Sequence, residues 1–357
     1  MRILLIGIRV TGQFLRFGWY FWIGAILVFT TVIAASLTVP SDTEAHKEMR
    51  VKMDWLGSAL IVSGLILVVF AITDSSGAAN GWKTPYIYIL LIVGSALLGA
   101  AFYFEGWIAK SPLIPFDLFQ VPYLKPLFVA LFFSYGTLGI FLLYATLSMQ
   151  DILGAGPLLV AAWYVPMCVG GMIISVLGGY VLHLISNTLL ILIAATGWIV
   201  ASTLFAVAPE RANYWAYIFP SMICATIGID VLFNVANIFI TTNLSSNRQG
   251  LAGALINSLL YLGIAFLIGF ADVVQTQTFH LGLKRNYQAV FWYQLACAGT
   301  ALAVMAVFVR IPKAKSELTV DEKEALALRE RLALQDPEGR GPAGPDNTPK
   351  TLQLAVA

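Results

Sequence analysis

The chain has 357 residues, 59% of them hydrophobic and 11% charged, with a mean hydropathy of +0.82. So few polar side chains do not cover a water-facing surface, which excludes a soluble globule and places the chain in a bilayer. A net charge of +2, carried by basic residues scattered between apolar runs, excludes a nucleic-acid footprint and makes Lys and Arg topology signals instead.

Residues 1–17 are atypical. Arg2, Arg9 and Arg16 recur at seven-residue spacing, and the last two interrupt the apolar core that a signal peptide needs. The expectation is that sequence upstream of this segment is missing or replaced. Nine segments then reach the roughly 17 to 25 apolar residues that a membrane helix requires. They are 19–40, 56–72, 86–108, 127–147, 158–181, 188–208, 214–242, 251–274 and 289–311. The predicted fold is an all-α polytopic membrane protein of about nine transmembrane helices.

The connections carry turn chemistry. Asp54 stands before Trp55-Leu56-Gly57 as a helix cap, Asp74-Ser75-Ser76-Gly77 ends the next helix, and Gly156-Pro157 opens another. Residues 312–357, rich in Glu, Lys, Arg, Gly and Pro, read as a cytosolic, largely disordered tail with a short charged helix over 321–335. With that tail in the cytosol, the inner side collects Lys47, Arg50, Lys52, Lys110, Lys125, Arg248, Arg310, Lys313 and Lys315. The outer loops hold Lys83, Arg211, Lys284 and Arg285, a bias that predicts a cytosolic C-terminus and an outer N-terminus. Arg2, Arg9 and Arg16 run against this assignment.

Asp230 is the most informative residue. A carboxylate at the centre of a membrane helix costs about 2.5 to 3.5 kcal/mol on insertion scales and survives where partners or water receive it. Thr226, Asp230, Asn234, Asn237 and Thr241 advance by three or four residues and share one face of an ideal helix. Gly250, Gly253, Asn257 and Tyr261 do the same on the following helix, where small residues permit close approach. Two readings stay open for the stripe: interhelical hydrogen bonding, at about 1 kcal/mol per side chain, or a solute and proton pathway, toward which the ionisable Asp230 tips the balance. Tyr261 taken alone reads as interfacial or packing.

Pro166, Gly170, Gly171, Ser175, Gly178 and Gly179 supply a kink and a small-residue groove on the fifth helix, suited to sliding or to static packing. Thr137, Tyr144, Ser148, Trp163 and Tyr164 are weaker cavity candidates. Asp272 and Glu105, close to segment ends, are expected to cap or to reach headgroup water. Cys168, Cys224 and Cys297 read as small hydrophobes, and His46, His183 and His280 lie too far apart for a metal site. No metal or cofactor is expected, and no phosphate-binding Gly-rich loop, zinc-binding His pair or nucleophile elbow gives an enzyme reading.

Several stretches resemble the major facilitator superfamily, in particular its fungal fourteen-helix branch of drug:proton antiporters and aminotriazole-resistance-like permeases. Gly18-Trp19-Tyr20-Phe21-Trp22-Ile23-Gly24 is similar to the opening of that branch's sixth helix, and Asp54-Trp55-Leu56-Gly57 to that of its seventh. Glu105 followed by Ser111-Pro112-Leu113-Ile114-Pro115 resembles the exit of the eighth, and Gln249-Gly250-Leu251-Ala252-Gly253-Ala254 the start of the thirteenth. The resemblance implies two six-helix bundles with an inserted helix pair, working by alternating access. On it, 18–40 is the last helix of the first bundle, 54–108 the inserted pair and 127–311 the second bundle, and the branch's first five helices are absent.

The resemblance therefore implies a secondary active transporter in truncated form, embedded in a plasma or vacuolar membrane. Asp230 would exchange the proton, and Thr226, Asn234, Asn237, Asn257 and Tyr261 would line the path of a small-molecule solute. A lone second bundle does not enclose a central pathway, so a second chain supplying the missing helices is an expected partner. The alternative is a non-transporting membrane partner or regulatory remnant of an intact permease.

Overall fold

A computed structural model describes residues 18–38, 54–78, 80–109, 120–244 and 249–311. The segment 1–17, the tail 312–357 and most of the basic loop residues lie outside them. Among the described residues every regular element is helical, and nine helices are long and apolar enough to cross a membrane. They are α1 (Gly18–Thr38), α2 (Trp55–Asp74), α3 (Pro85–Ile108), α4 (Leu124–Asp151), α5 (Pro157–Trp163 continued by Val165–Leu184), α6 (Asn187–Val207), α7 (Tyr214–Thr242), α8 (Gln249–Thr278) and α9 (Leu283–Phe308).

The predicted ends are short where polar residues close the hydropathy signal but not the helix. α9 starts at Leu283, not 289, and its polar first turns are used in packing: Asn286 Nδ2 donates to Gln275 O of α8 at 2.7 Å, and Tyr287 reaches Asp151 of α4. Asp54 caps α2 as expected, its Oδ1 accepting from Gly57 N at 2.8 Å.

One buried cluster runs from Leu124 to Ile311 and joins α4 through α9. Lipid tails are as apolar as these helix surfaces, so van der Waals fit and small residues decide how near the helices come. α4 and α8 cross backbone to backbone: a Cβ added at Gly263 would stand 2.5 Å from Phe132 O, and one at Gly136 would stand 2.7 Å from Gly263 O. Gly250 and Gly253, expected to permit this approach, have nothing within 4 Å of an added Cβ. The close crossing falls about three turns or more further along α8, where the helices actually converge.

α2 and α3 pack on each other outside this cluster, and α2 docks on α8, where Ile72 and Thr73 meet Gly269. Glu105, expected to reach headgroup water, is instead buried, with its carboxylate filling the space that a side chain at Gly57 would need. α1 exposes its apolar surface, with Trp22 at 68% and Leu37 at 80%, a face for lipid or for other helices.

Candidate functional site

The polar residues of α7 sit around a π-helical turn. α7 runs as a π-turn over Tyr214–Ile218, α-helix over Phe219–Thr226, a second π-turn over Ile227–Val231 that contains Asp230, and α-helix over Leu232–Thr242. A π-turn closes one residue later than an α-turn, so the helix face is displaced by about 100° across it. The stripe predicted on ideal spacing therefore divides. Thr226, on the near side, is 1% exposed and donates its hydroxyl to Met222 O at 2.8 Å and to Met167 O of α5 at 3.3 Å. It is an interhelical anchor, not a lining residue. Asp230, Asn234, Asn237 and Thr241 are half-buried.

Within that group Asn237 Nδ2 donates to Phe233 O at 2.9 Å, and Thr241 Oγ1 donates to Asn237 O at 2.8 Å. These bonds satisfy the side chains within α7 at a modest cost to the helix ladder. Asn257 likewise bonds its own helix, Nδ2 to Gly253 O at 2.9 Å, and is exposed; Tyr261, one turn on, is 60% exposed. The two share an open face of α8 and are not hydrogen-bonded to the α7 residues. Gly170, from the predicted groove of α5, packs on Thr226, whose methyl would stand 3.0 Å from a Cβ added there.

A second polar cluster stands at the end of the bundle where α4 and α8 finish and α9 begins. Tyr144 lies in a π-turn of α4, Phe141–Ala145, and is 1% exposed. Its hydroxyl donates to Asp272 Oδ1 of α8 at 2.6 Å. Tyr287 of α9 donates to Asp151 Oδ2 at the end of α4. The two tyrosine rings meet edge to face, with centroids 6.3 Å apart. Asp272 is thus nine residues before Leu281, about 13 Å along the axis. It is half-buried and held by a buried tyrosine, a partner that the sequence reading did not give it.

The missed signal was the pairing: each hydrogen bond spans more than 120 residues. Tyr164, a weaker candidate in the sequence, also meets Thr146, their hydroxyls 3.0 Å apart.

Two hollows open at this same end. One is lined by Ser148, Ile152, Tyr217, Lys284, Tyr287 and Gln288. The other, of about 400 Å³, lies between the α2–α3 connection and α8, with Asn80, Lys83, Thr276 and Gln277 among its walls. Asp230 lines neither.

No family model matches the chain. Named relatives do. A low affinity ammonium transporter of Saccharomyces cerevisiae is 30% identical over 88% of this chain and 61% of its own length. The aminotriazole resistance protein of the same yeast is 27% identical over 85% and 57%. A major facilitator superfamily multidrug transporter of Aspergillus fumigatus is 25% identical over 84% and 50%. The chain spans half to three-fifths of the length of these relatives. With nine membrane-length helices among the described residues and relatives of this kind over most of its length, the chain is a homologue of the fungal transporters of the major facilitator superfamily.

Proposed function

We propose that this chain serves secondary active transport of a small solute coupled to protons. α4 through α9 act as one half of an alternating-access carrier, and α2 with α3 is the inserted pair. The observation that carries the reading is Asp230: an ionisable residue on a π-turn near the middle of a 29-residue apolar span. π-turns recur at functional sites because the displaced ladder frees backbone groups and redirects side chains. In this proposal Asp230 exchanges the proton, Asn234 and Asn237 line the solute path with it, and Asn257 and Tyr261 present an open polar face to the same path. Thr226 holds α5 against α7. The Ile311 end of the bundle faces the cytosol.

The relatives' names point to ammonium and to drug-like solutes, so radiolabelled methylammonium and aminotriazole are the first probes. Proteoliposomes carrying the purified chain, with an imposed proton gradient, are expected to show gradient-dependent flux that Asp230→Asn abolishes. Flux equal in both would remove Asp230 from the mechanism. A second reading, a membrane partner of another permease, draws on the exposed polar face at Asn257 and Tyr261, which is costly against lipid. It predicts no flux from the chain alone and recovery of a stoichiometric complex with another helical chain.

A further inference from the structure

Asp272, Tyr144, Tyr287 and Asp151 tie three helices together at one end of the bundle, apart from Asp230. Two carboxylate–tyrosine hydrogen bonds bridge α4 to α8 and α4 to α9, and the touching rings join the two bridges. Tyr144 enters this arrangement from a π-turn, as Asp230 does, so both groups sit where the helix ladder is already displaced.

We propose that Asp272 is a second proton-binding carboxylate of the bundle, and that Tyr144 makes its protonation state decide how firmly α8 is clasped to α4. The inference rests on the transport reading above and adds to it a site that works at the opposite helix end from Ile311. An ionised Asp272 accepts the Tyr144 hydroxyl as a charge-assisted hydrogen bond, roughly twice as strong as a neutral one. A proton arriving from water bonds to a carboxylate oxygen of Asp272, Tyr144 keeps its own, and the remaining hydrogen bond is a neutral one. Acid therefore loosens the α4–α8 bridge.

The neighbours of Asp272 set its charge balance. α4 offers Tyr144 and Asp151; α9 offers Tyr287, with Lys284 on the adjoining hollow. From α2 comes Asp74, which accepts from Tyr86 Oη at 2.5 Å, and from the α2–α3 connection Lys83, across the hollow from Thr276. α7 carries Asp230 near its middle, away from this end of the bundle, and the turn after α8 contributes the exposed His280. Among the described residues no Lys or Arg forms an ion pair with Asp272, so the tyrosine hydroxyl is its polar partner and a proton is the simplest neutralising ligand.

The test is infrared difference spectroscopy of the full chain in lipid nanodiscs, stepped through pH, with water and protons as the probe. The wild type is expected to show a carboxylic-acid carbonyl band appearing as pH falls. Asp272→Asn should lose one component of that band, and Tyr144→Phe, which keeps the ring, should retain that component at a changed frequency. Spin labels at positions 150 and 276 should report a distance that lengthens with acid in the wild type and does not change with pH in Asp272→Asn. A titrating band unaltered by Asp272→Asn, or no such band between pH 4 and about 9, would overturn the inference. A titrating Asp272 band in a chain that carries no solute keeps it while removing the transport reading. Flux lost in Asp230→Asn with no Asp272 band does the reverse.

Discussion

Thr188 and Ile311, separated by 123 residues, bond to each other in both directions: Thr188 N donates to Ile311 O at 3.1 Å, and Ile311 N donates to Thr188 Oγ1 at 2.7 Å. The hydroxyl also donates to Ile311 O at 2.9 Å. This staple brings the start of α6 and the end of α9 to one end of the bundle, opposite the Tyr144–Asp272 cluster.

Thr188→Val keeps the shape and removes the hydroxyl, leaving Ile311 N, on a residue 2% exposed, without its acceptor. The expected loss is about 1 to 3 kcal/mol, read as a lower unfolding midpoint in a detergent titration. Thr188→Ser retains the bonds and should fall near the wild type. A loss in Thr188→Ser with none in Thr188→Val would show that the methyl group, not the hydroxyl, matters.

The α4–α8 crossing gives a contrast within a single helix. Gly263→Ala sets a methyl against the backbone of α4 and should cost about 1 to 3 kcal/mol by overpacking. Gly250→Ala and Gly253→Ala, which meet open space, should be neutral or slightly stabilising through helix propensity. Thermal unfolding of the three variants in the same detergent checks the order.

Thr226 and Asp230, one turn apart in sequence, should part in function. Thr226→Val loses a hydrogen bond to α5 and is expected to cost about 1 kcal/mol of stability while keeping proton-driven flux. Asp230→Asn should leave the unfolding midpoint within about 1 kcal/mol and lose flux. Stability and flux measured side by side distinguish the two, and a reversed pattern would exchange their roles.

Orientation has an inexpensive check at Asn243-Leu244-Ser245, an acceptor sequence for N-glycosylation. With the Ile311 end in the cytosol, Asn243, at the end of α7, is also cytosolic and stays unmodified in yeast microsomes. A glycosidase-sensitive mass shift that Asn243→Gln removes would invert the topology.

Length and hydropathy alone gave the nine membrane-length helices found among the described residues and the all-α polytopic fold, because about 30 Å of hydrocarbon admits only backbone that bonds to itself. The Asp54 cap was legible too, since its partner lies three residues away. The α7 stripe was legible as polar but not as a face. Spacing assumes an unbroken α-helix, and the π-turn at Ile227–Val231 turns Thr226 into the packing. Tertiary structure alone decided which carboxylates meet tyrosines, which glycines touch and that Glu105 is buried. Those outcomes depend on where helices cross, and in a bilayer crossing points are chosen by shape fit over the whole bundle, a property that no local stretch of residues encodes.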